Sequence, residues 1–215
     1  MRIIAYVDGF SVYYACFRGP TKAINSTFKW LDFQSVFRTM YPDDEIVLVR
    51  IYTAIAPNPP DDPSQAQRHD TYVRALRTLA DVEVFVGRFQ KAKRESVLVR
   101  PPNGVSPNQT VFVYQEKQSD VSLASHLMLD AFQDRFDRAV IFTNDSDFLM
   151  PIKLVRDHFG REVIVLSPDR TTNRQLANVA TAAHVFDRQL LAKCQLPDEL
   201  QDDEGRTIRK PVRWQ

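Results

Sequence analysis

Short apolar runs alternate with amphipathic segments along most of this chain, and that alternation constrains its fold more than any other feature. Arg2 to Val7, Glu45 to Ile55, Val82 to Phe89, Arg138 to Thr143 and Glu162 to Leu166 read as strands rich in Ile, Val, Tyr and Phe. Between them lie segments with apolar residues at helical spacing. Asp32 to Met40 carries Phe33, Val36, Phe37 and Met40 behind an Asp N-cap. Ser64 to Leu79 carries Tyr72, Ala75, Leu76 and Leu79, and Asp120 to Phe132 carries Val121, Ala124, Leu127, Met128 and Ala131. Phe148 to Phe159 is a helix stopped by Gly160, Asn173 to Val179 a short helix, and His184 to Phe186 a short last strand. Strands alternating with helices predict an α/β fold with a mostly parallel sheet covered on both faces and right-handed crossovers.

Two β-rich pieces, Ser96 to Arg100 and Thr110 to Gln115, flank the turn-forming stretch PPNGVSPNQ and predict an antiparallel hairpin inserted at about 94–116. One domain over 1–195 is the economical reading of 215 residues, followed by a Pro- and charge-rich extended tail over 196–215. The 28 Lys and Arg against 27 Asp and Glu leave total charge silent about a nucleic-acid partner, so local clustering must carry that argument. Cys16 and Cys194 lie far apart and form no Cys-x-x-Cys pair, so neither a disulfide framework nor a zinc ribbon is supported. A buried thiol at Cys16, among Tyr13, Tyr14 and Phe17, fits a reducing cytoplasm. The opening MRIIAYVDGF is too short in apolar residues for a signal peptide, and no run approaches a membrane span. A cytoplasmic protein without a membrane partner is expected.

The apolar run AVIF, residues 139–142, ends abruptly in Thr143, Asn144, Asp145, Ser146 and Asp147. In an open doubly wound sheet, ligands bind at the carboxyl ends of strands, where strand order reverses. Asp8 follows the first strand at such an end, and Asp145 follows the 138–143 strand. Asp120 opens the helix that feeds that strand, which places it on the same side of the sheet. Taken singly, each acid is more often a helix cap or a turn residue. Taken together, Asp8, Asp120, Asp145 and Asp147 point into one crevice. Close carboxylates repel, so they have raised pKa values or need a cation. Hard oxygen ligands suit Mg²⁺ or Mn²⁺, and such an ion lowers the pKa of water and stabilises charge on a phosphoryl oxygen.

The stretches VDGFSVYY, EKQSDVSLASHLMLDAF and VIFTNDSDFLMPIKLVR, in that order, resemble the NYN family of PIN-like nucleases. The likeness extends through KWLDFQSVF, EIVLVRIYTA, QRHDTYVRALRTL and VEVFVGRF into the tail, GRTIRKPVRW, and looks nearest to bacterial stand-alone NYN proteins. It implies a PIN-like three-layer α/β/α fold and a metal-dependent ribonuclease, cutting RNA as an endonuclease. The family's acidic pocket maps onto Asp8, Asp120, Asp145 and Asp147 as catalytic residues and ligands of Mg²⁺ or Mn²⁺. Lys117 is the basic neighbour of Asp120 in Lys-x-x-Asp-Val, and Ser11, Thr143, Asn144 and Ser146 are expected to orient ligands and water. Many relatives carry Asn at the position of Ser11, and a further Asp near His126, for which the pocket edge is one reading and packing or a surface position the preferred one.

Lys91, Lys93 and Arg94 follow the third strand and are candidates to hold phosphates; a solvated charged face is the bland reading. Tyr13, Tyr14 and Phe10 follow Asp8 and are candidates to stack on a base, or core residues. Arg68, Arg74 and Arg77 fall on one helix and read as mainly structural; Asp70 precedes Arg74 by four and can pair with it. Arg206, Arg209, Lys210 and Arg213 are placed to touch RNA or a neighbouring copy in a homo-oligomer, although a strap on the domain is preferred. Two rivals to the ribonuclease stand. One is a catalytically silent RNA- or protein-binding module, with Ser11 as its support. The other is a phosphatase of the HAD type with Asp8 as nucleophile, which wants an acid two residues later, where this chain has Phe10.

Overall fold

The computed structural model describes residues 1–18 and 26–215. β1 (Arg2–Asp8), β2 (Glu45–Ala54), β3 (Val82–Val97), β4 (Asn108–Lys117), β5 (Arg138–Phe142), β6 (Glu162–Ser167) and β7 (Ala182–Val185) form one sheet among the described residues, in the order β4-β3-β2-β1-β5-β6-β7. Every pair is parallel except β3–β4. Strand order reverses at β1, which lies between β2 and β5, so the switch point falls where Asp8 and the end of β5 meet.

Alternate residues of each strand feed two cores. Ile3, Ala5, Val7, Val49, Ile51, Val140 and Phe142 face a layer that includes α2 (Phe33–Met40) and α3 (Gln65–Leu76). Ile4, Tyr6, Leu48, Tyr52, Ala139 and Ile141 face α4 (Ser119–Phe132), α5 (Leu149–Phe159) and α6 (Arg174–Val179). The result is the three-layer α/β/α sandwich that the resemblance implies. The period of two along the strands explains why these runs look continuously apolar: both faces are buried. No helix of the described residues is long and apolar enough to cross a membrane.

Two details depart from the sequence reading. The third strand does not end at Phe89. It continues to Val97, paired with β4 from Arg88↔Lys117 to Val97↔Asn108. The polar run QKAKRES lacks strand-like composition, and backbone pairing to β4 holds it extended nonetheless. Arg74 pairs with Asp202 at 3.3 Å rather than with Asp70, because the C-terminal segment lies against α3. In that segment β8 (Glu199–Gln201) and β9 (Thr207–Arg209) form a small antiparallel pair. Beyond it Trp214 is buried against Trp30 and Tyr72, with ring centroids 6.2 and 6.0 Å away. Trp30 and Trp214 thus acquire a packing role that their sequence positions did not suggest.

Candidate functional site

The turn that ends β1 builds the first wall. Asp8 is 5% exposed and caps the short helix α1 (Gly9–Val12), its Oδ1 accepting from the backbone N–H of Phe10 (3.1 Å) and Ser11 (3.0 Å). Its Oδ2 accepts from the Ser11 hydroxyl at 2.5 Å and the Thr143 hydroxyl at 2.8 Å. Four hydrogen bonds therefore fix this carboxylate on a short turn. Gly9 makes that turn possible: a Cβ there would stand 2.7 Å from the Tyr52 carbonyl oxygen.

The end of β5 builds the second wall. Thr143 is fully buried; its Oγ1 accepts from the Asp145 N–H at 3.1 Å while donating to Asp8, so one hydroxyl couples the two acids. Asp145 caps the following 3₁₀ turn by accepting from the Asp147 N–H at 3.0 Å. The cap reading and the site reading are both satisfied by the same residue. Asn144 turns away from this pair and ties the β5 and β6 ends together: its Nδ2 donates to Asp169 at 2.7 Å and its Oδ1 accepts from the Asn173 N–H at 2.7 Å.

The third wall is the junction of β4 and α4. Gln118 adopts φ 91°, a left-handed conformation costly for a residue with a side chain, and this turn sets Asp120 in the first turn of α4. Glu116 accepts from the Ser119 N–H at 3.1 Å and so supplies the helix with its cap. Gly87 on β3 lets the end of β4 come close: a Cβ there would fall 2.6 Å from both Glu116 Oε1 and the Lys117 carbonyl oxygen.

These walls enclose a crevice of about 940 Å³, lined by Asp8, Ser11, Glu116, Lys117, Asp120, Asn144, Asp145, Ser146 and Asp169 and by the aromatic side chains Phe10, Tyr14, Phe89 and Tyr114. Five carboxylates face one lysine. The electrostatic consequence is visible at Asp120, whose carboxyl is pushed up to about 6 by partial burial first, then by the charges of Asp8, Glu116 and Asp145. All the donors are hard oxygens, the set that Mg²⁺ and Mn²⁺ prefer. Among the described residues no three His, Cys, Asp or Glu side chains are gathered closely enough to hold an ion by themselves. The acids rim the crevice rather than meeting at one point.

Of the residues singled out from sequence, Asp8, Ser11, Lys117, Asp120, Asn144, Asp145 and Ser146 line this crevice, and Thr143 stands directly behind it. Asp147 does not; its side chain is exposed, and its N–H serves Asp145. Tyr13 is half-buried against the core, whereas Tyr14, 50% exposed, takes the crevice position. Lys91, Lys93 and Arg94 lie outside, on β3, and Arg94 points to the opposite face from the two lysines because side chains alternate along a strand. His126 packs against Phe85 (4.4 Å between centroids) and bonds Tyr52, away from the crevice. Glu116 and Asp169 are the additions. Asp169 closely follows β6 at its carboxyl end, the same signal that marks Asp145; Glu116 carried none, because its role depends on the hairpin register.

A solved structure of a protein of unknown function from Vibrio parahaemolyticus RIMD 2210633 shares the fold, with a TM-score of 0.53 and 21% identity over 86% of this chain and 93% of that one. The 6-hydroxy-3-succinoylpyridine 3-monooxygenase HspA of Pseudomonas putida (strain DSM 28022 / S16) is 28% identical, the match covering 92% of this chain and 70% of that protein. The family model for the NYN domain matches residues 2–187. With the switch-point crevice and its acids in place, the chain belongs to the NYN domain family.

Proposed function

We propose that this protein is a ribonuclease, an endonuclease dependent on Mg²⁺ or Mn²⁺ that hydrolyses RNA phosphodiester bonds in the crevice. The observation that carries the reading is the set of carboxylates gathered at the switch point, with Asp120 raised to about 6 by partial burial and then by the charges of its neighbours. Acids so placed bind a polyanion only with a cation between them. Asp8, Asp120 and Asp145 would hold it, while Asp147, outside the crevice, would act only through the Asp145 turn; Mg²⁺ keeps several waters, which suits acids that do not meet at one point. When bound, the ion lowers the pKa of water and neutralises charge developing on the phosphoryl group.

The chain's own residues do the rest. Ser11 and Thr143 lock Asp8, and through Thr143 its position is tied to that of Asp145, so the two acids keep a fixed separation. Ser11, where many relatives carry Asn, reaches Asp8 directly at 2.5 Å, which supports a role in holding that acid. Lys117, beside Asp120 on the crevice wall, is the cation available to a phosphate oxygen. The HspA relative's name carries a monooxygenase activity on a succinoylpyridine, whose carboxylate, like a phosphate, would need a cation to sit among five acids and one lysine.

Asp8→Asn and Asp145→Asn should each lower RNA cleavage with Mn²⁺ by about a hundredfold or more, while circular dichroism and thermal unfolding show a folded protein. Wild-type protein that leaves both structured and unstructured RNA intact with Mn²⁺, or Asp8→Asn that cleaves as well as wild type, would sink the ribonuclease. Salt-dependent RNA binding without turnover, indifferent to chelator, would instead favour the silent binding module.

A further inference from the structure

The β3–β4 hairpin carries a surface that the crevice does not account for. Antiparallel pairing sets Phe89 opposite Glu116, Lys91 opposite Tyr114 and Lys93 opposite Phe112, so these six side chains share one face. Phe112 is 57% exposed and Tyr114 48% exposed. The Lys91 ammonium lies 3.9 Å from the Phe112 ring centroid and 5.7 Å from that of Tyr114. The face is continuous with the crevice: Phe89, Tyr114 and Glu116 line both, and Phe10 meets Phe89 edge-on at 5.9 Å. Two solvated aromatic rings at alternate positions of one strand, flanked by two lysines, are costly to leave exposed unless something covers them.

We propose that this face of the hairpin is a single-strand-binding track, on which Phe112 and Tyr114 stack unpaired bases while Lys91 and Lys93 hold the phosphates between them. The proposal rests on the ribonuclease reading for the identity of the strand as RNA. Residues two apart on a strand stand roughly 7 Å apart, a step that one extended nucleotide spans. In the free protein Lys91 covers the rings; an incoming strand offers the lysine a phosphate and the rings a base, so both exchange one partner for a better one. Charge argues for a polyanion here and against a second copy of this chain. Without a cation the acidic crevice repels phosphates, so metal-independent affinity must come from outside it, and two such faces brought together would oppose like lysines. A duplex keeps its bases stacked on one another and has none to give to the rings, so the track selects single strands.

The test is equilibrium binding of a short, unstructured oligoribonucleotide to the full chain, with chelator present to stop turnover. Phe112→Ala should weaken single-strand binding by about tenfold and Phe112→Tyr should restore it, since stacking contributes on the order of 1–3 kcal/mol per base. Lys93→Ala should reduce the slope of log affinity against log salt by about 0.7. Single-strand binding with these sensitivities but without cleavage in Mn²⁺ supports the track and removes the ribonuclease. Cleavage with Phe112→Ala and Lys93→Ala binding as wild type overturns the track and leaves the ribonuclease. Equal affinity for duplex and single strand also overturns it. So does a wild-type dimer that Phe112→Ala converts to monomer at unchanged RNA affinity.

Discussion

Asp120 and Asp130 belong to one helix, α4, and their surroundings are opposite. Asp130 is 0% exposed and fully occupied: its Oδ2 accepts from the Tyr6 hydroxyl at 2.7 Å, and its carboxylate lies 3.1 Å from Arg50 Nε and 3.0 Å from Arg135. Arg50 in turn reaches Glu83 at 2.8 Å. Asp120 has the Ser119 hydroxyl at 3.4 Å, and the charges that reach it are those of other acids. The deeply buried carboxylate is neutralised by the protein itself, and the one at the crevice is left to be neutralised by something that arrives. Charge of one sign accumulated without internal partners is the physical signature of a site, whereas a paired buried charge is a feature of the scaffold.

That contrast can be broken in three ways. Asp130→Ala takes from buried Arg50 its buried partner, leaving it the half-exposed Glu83, and should cost about 3 kcal/mol in urea unfolding, since the charge left inside is then poorly compensated. A value near zero would mean that the pair is not buried in solution. Next, Mn²⁺ should stabilise wild type by about 2.7 kcal/mol at a hundredfold excess over its dissociation constant, read as a rise in thermal midpoint at pH 8, and Asp8→Asn should abolish the rise. If the midpoint is indifferent to Mn²⁺ and Mg²⁺, the crevice does not hold the ion.

The smallest effect has the opposite sign to the first. With its carboxyl raised to about 6, neutral Asp120 favours the folded state; that contribution is complete below the unfolded value of about 4 and is lost as pH rises through 6. Metal-free Asp120→Asn should therefore match wild type near pH 4 and exceed it near pH 8. The gain should stay under about 1 kcal/mol, because the group is open to solvent and screened. A variant less stable than wild type at pH 8 would show that the crevice acids are internally compensated after all.

The sequence was most legible where burial on two faces dictates composition. Arg2 to Val7 and Arg138 to Thr143 could be read as strands from their apolar content, and Asp8 and Asp145 as facing acids on the condition, met in the structure, that the two strands are neighbours. It was least legible where pairing or packing across long separations decides the outcome. β3 runs on through QKAKRES because β4 supplies its hydrogen bonds, and no local propensity announces that. Arg74 chose Asp202 over Asp70 because the C-terminal segment packs on α3. Tyr13 is the substrate-binding candidate in sequence, yet the direction of the turn after α1 sends it to the core and its neighbour Tyr14 to the crevice.

By itself, then, the sequence determined the alternation of strands and helices, the layered α/β class and the placement of Asp8, Asp120 and Asp145 at one edge of the sheet. These follow from local periodicity and from a general rule of parallel sheets. The tertiary structure alone decided that Glu116 and Asp169 join those acids, that Thr143 links two of them, that Asp147 stays outside, and that Phe112 and Tyr114 stand exposed beside Lys91. Each of these depends on the register between distant strands and on the strained turn at Gln118, quantities that no short stretch of residues contains.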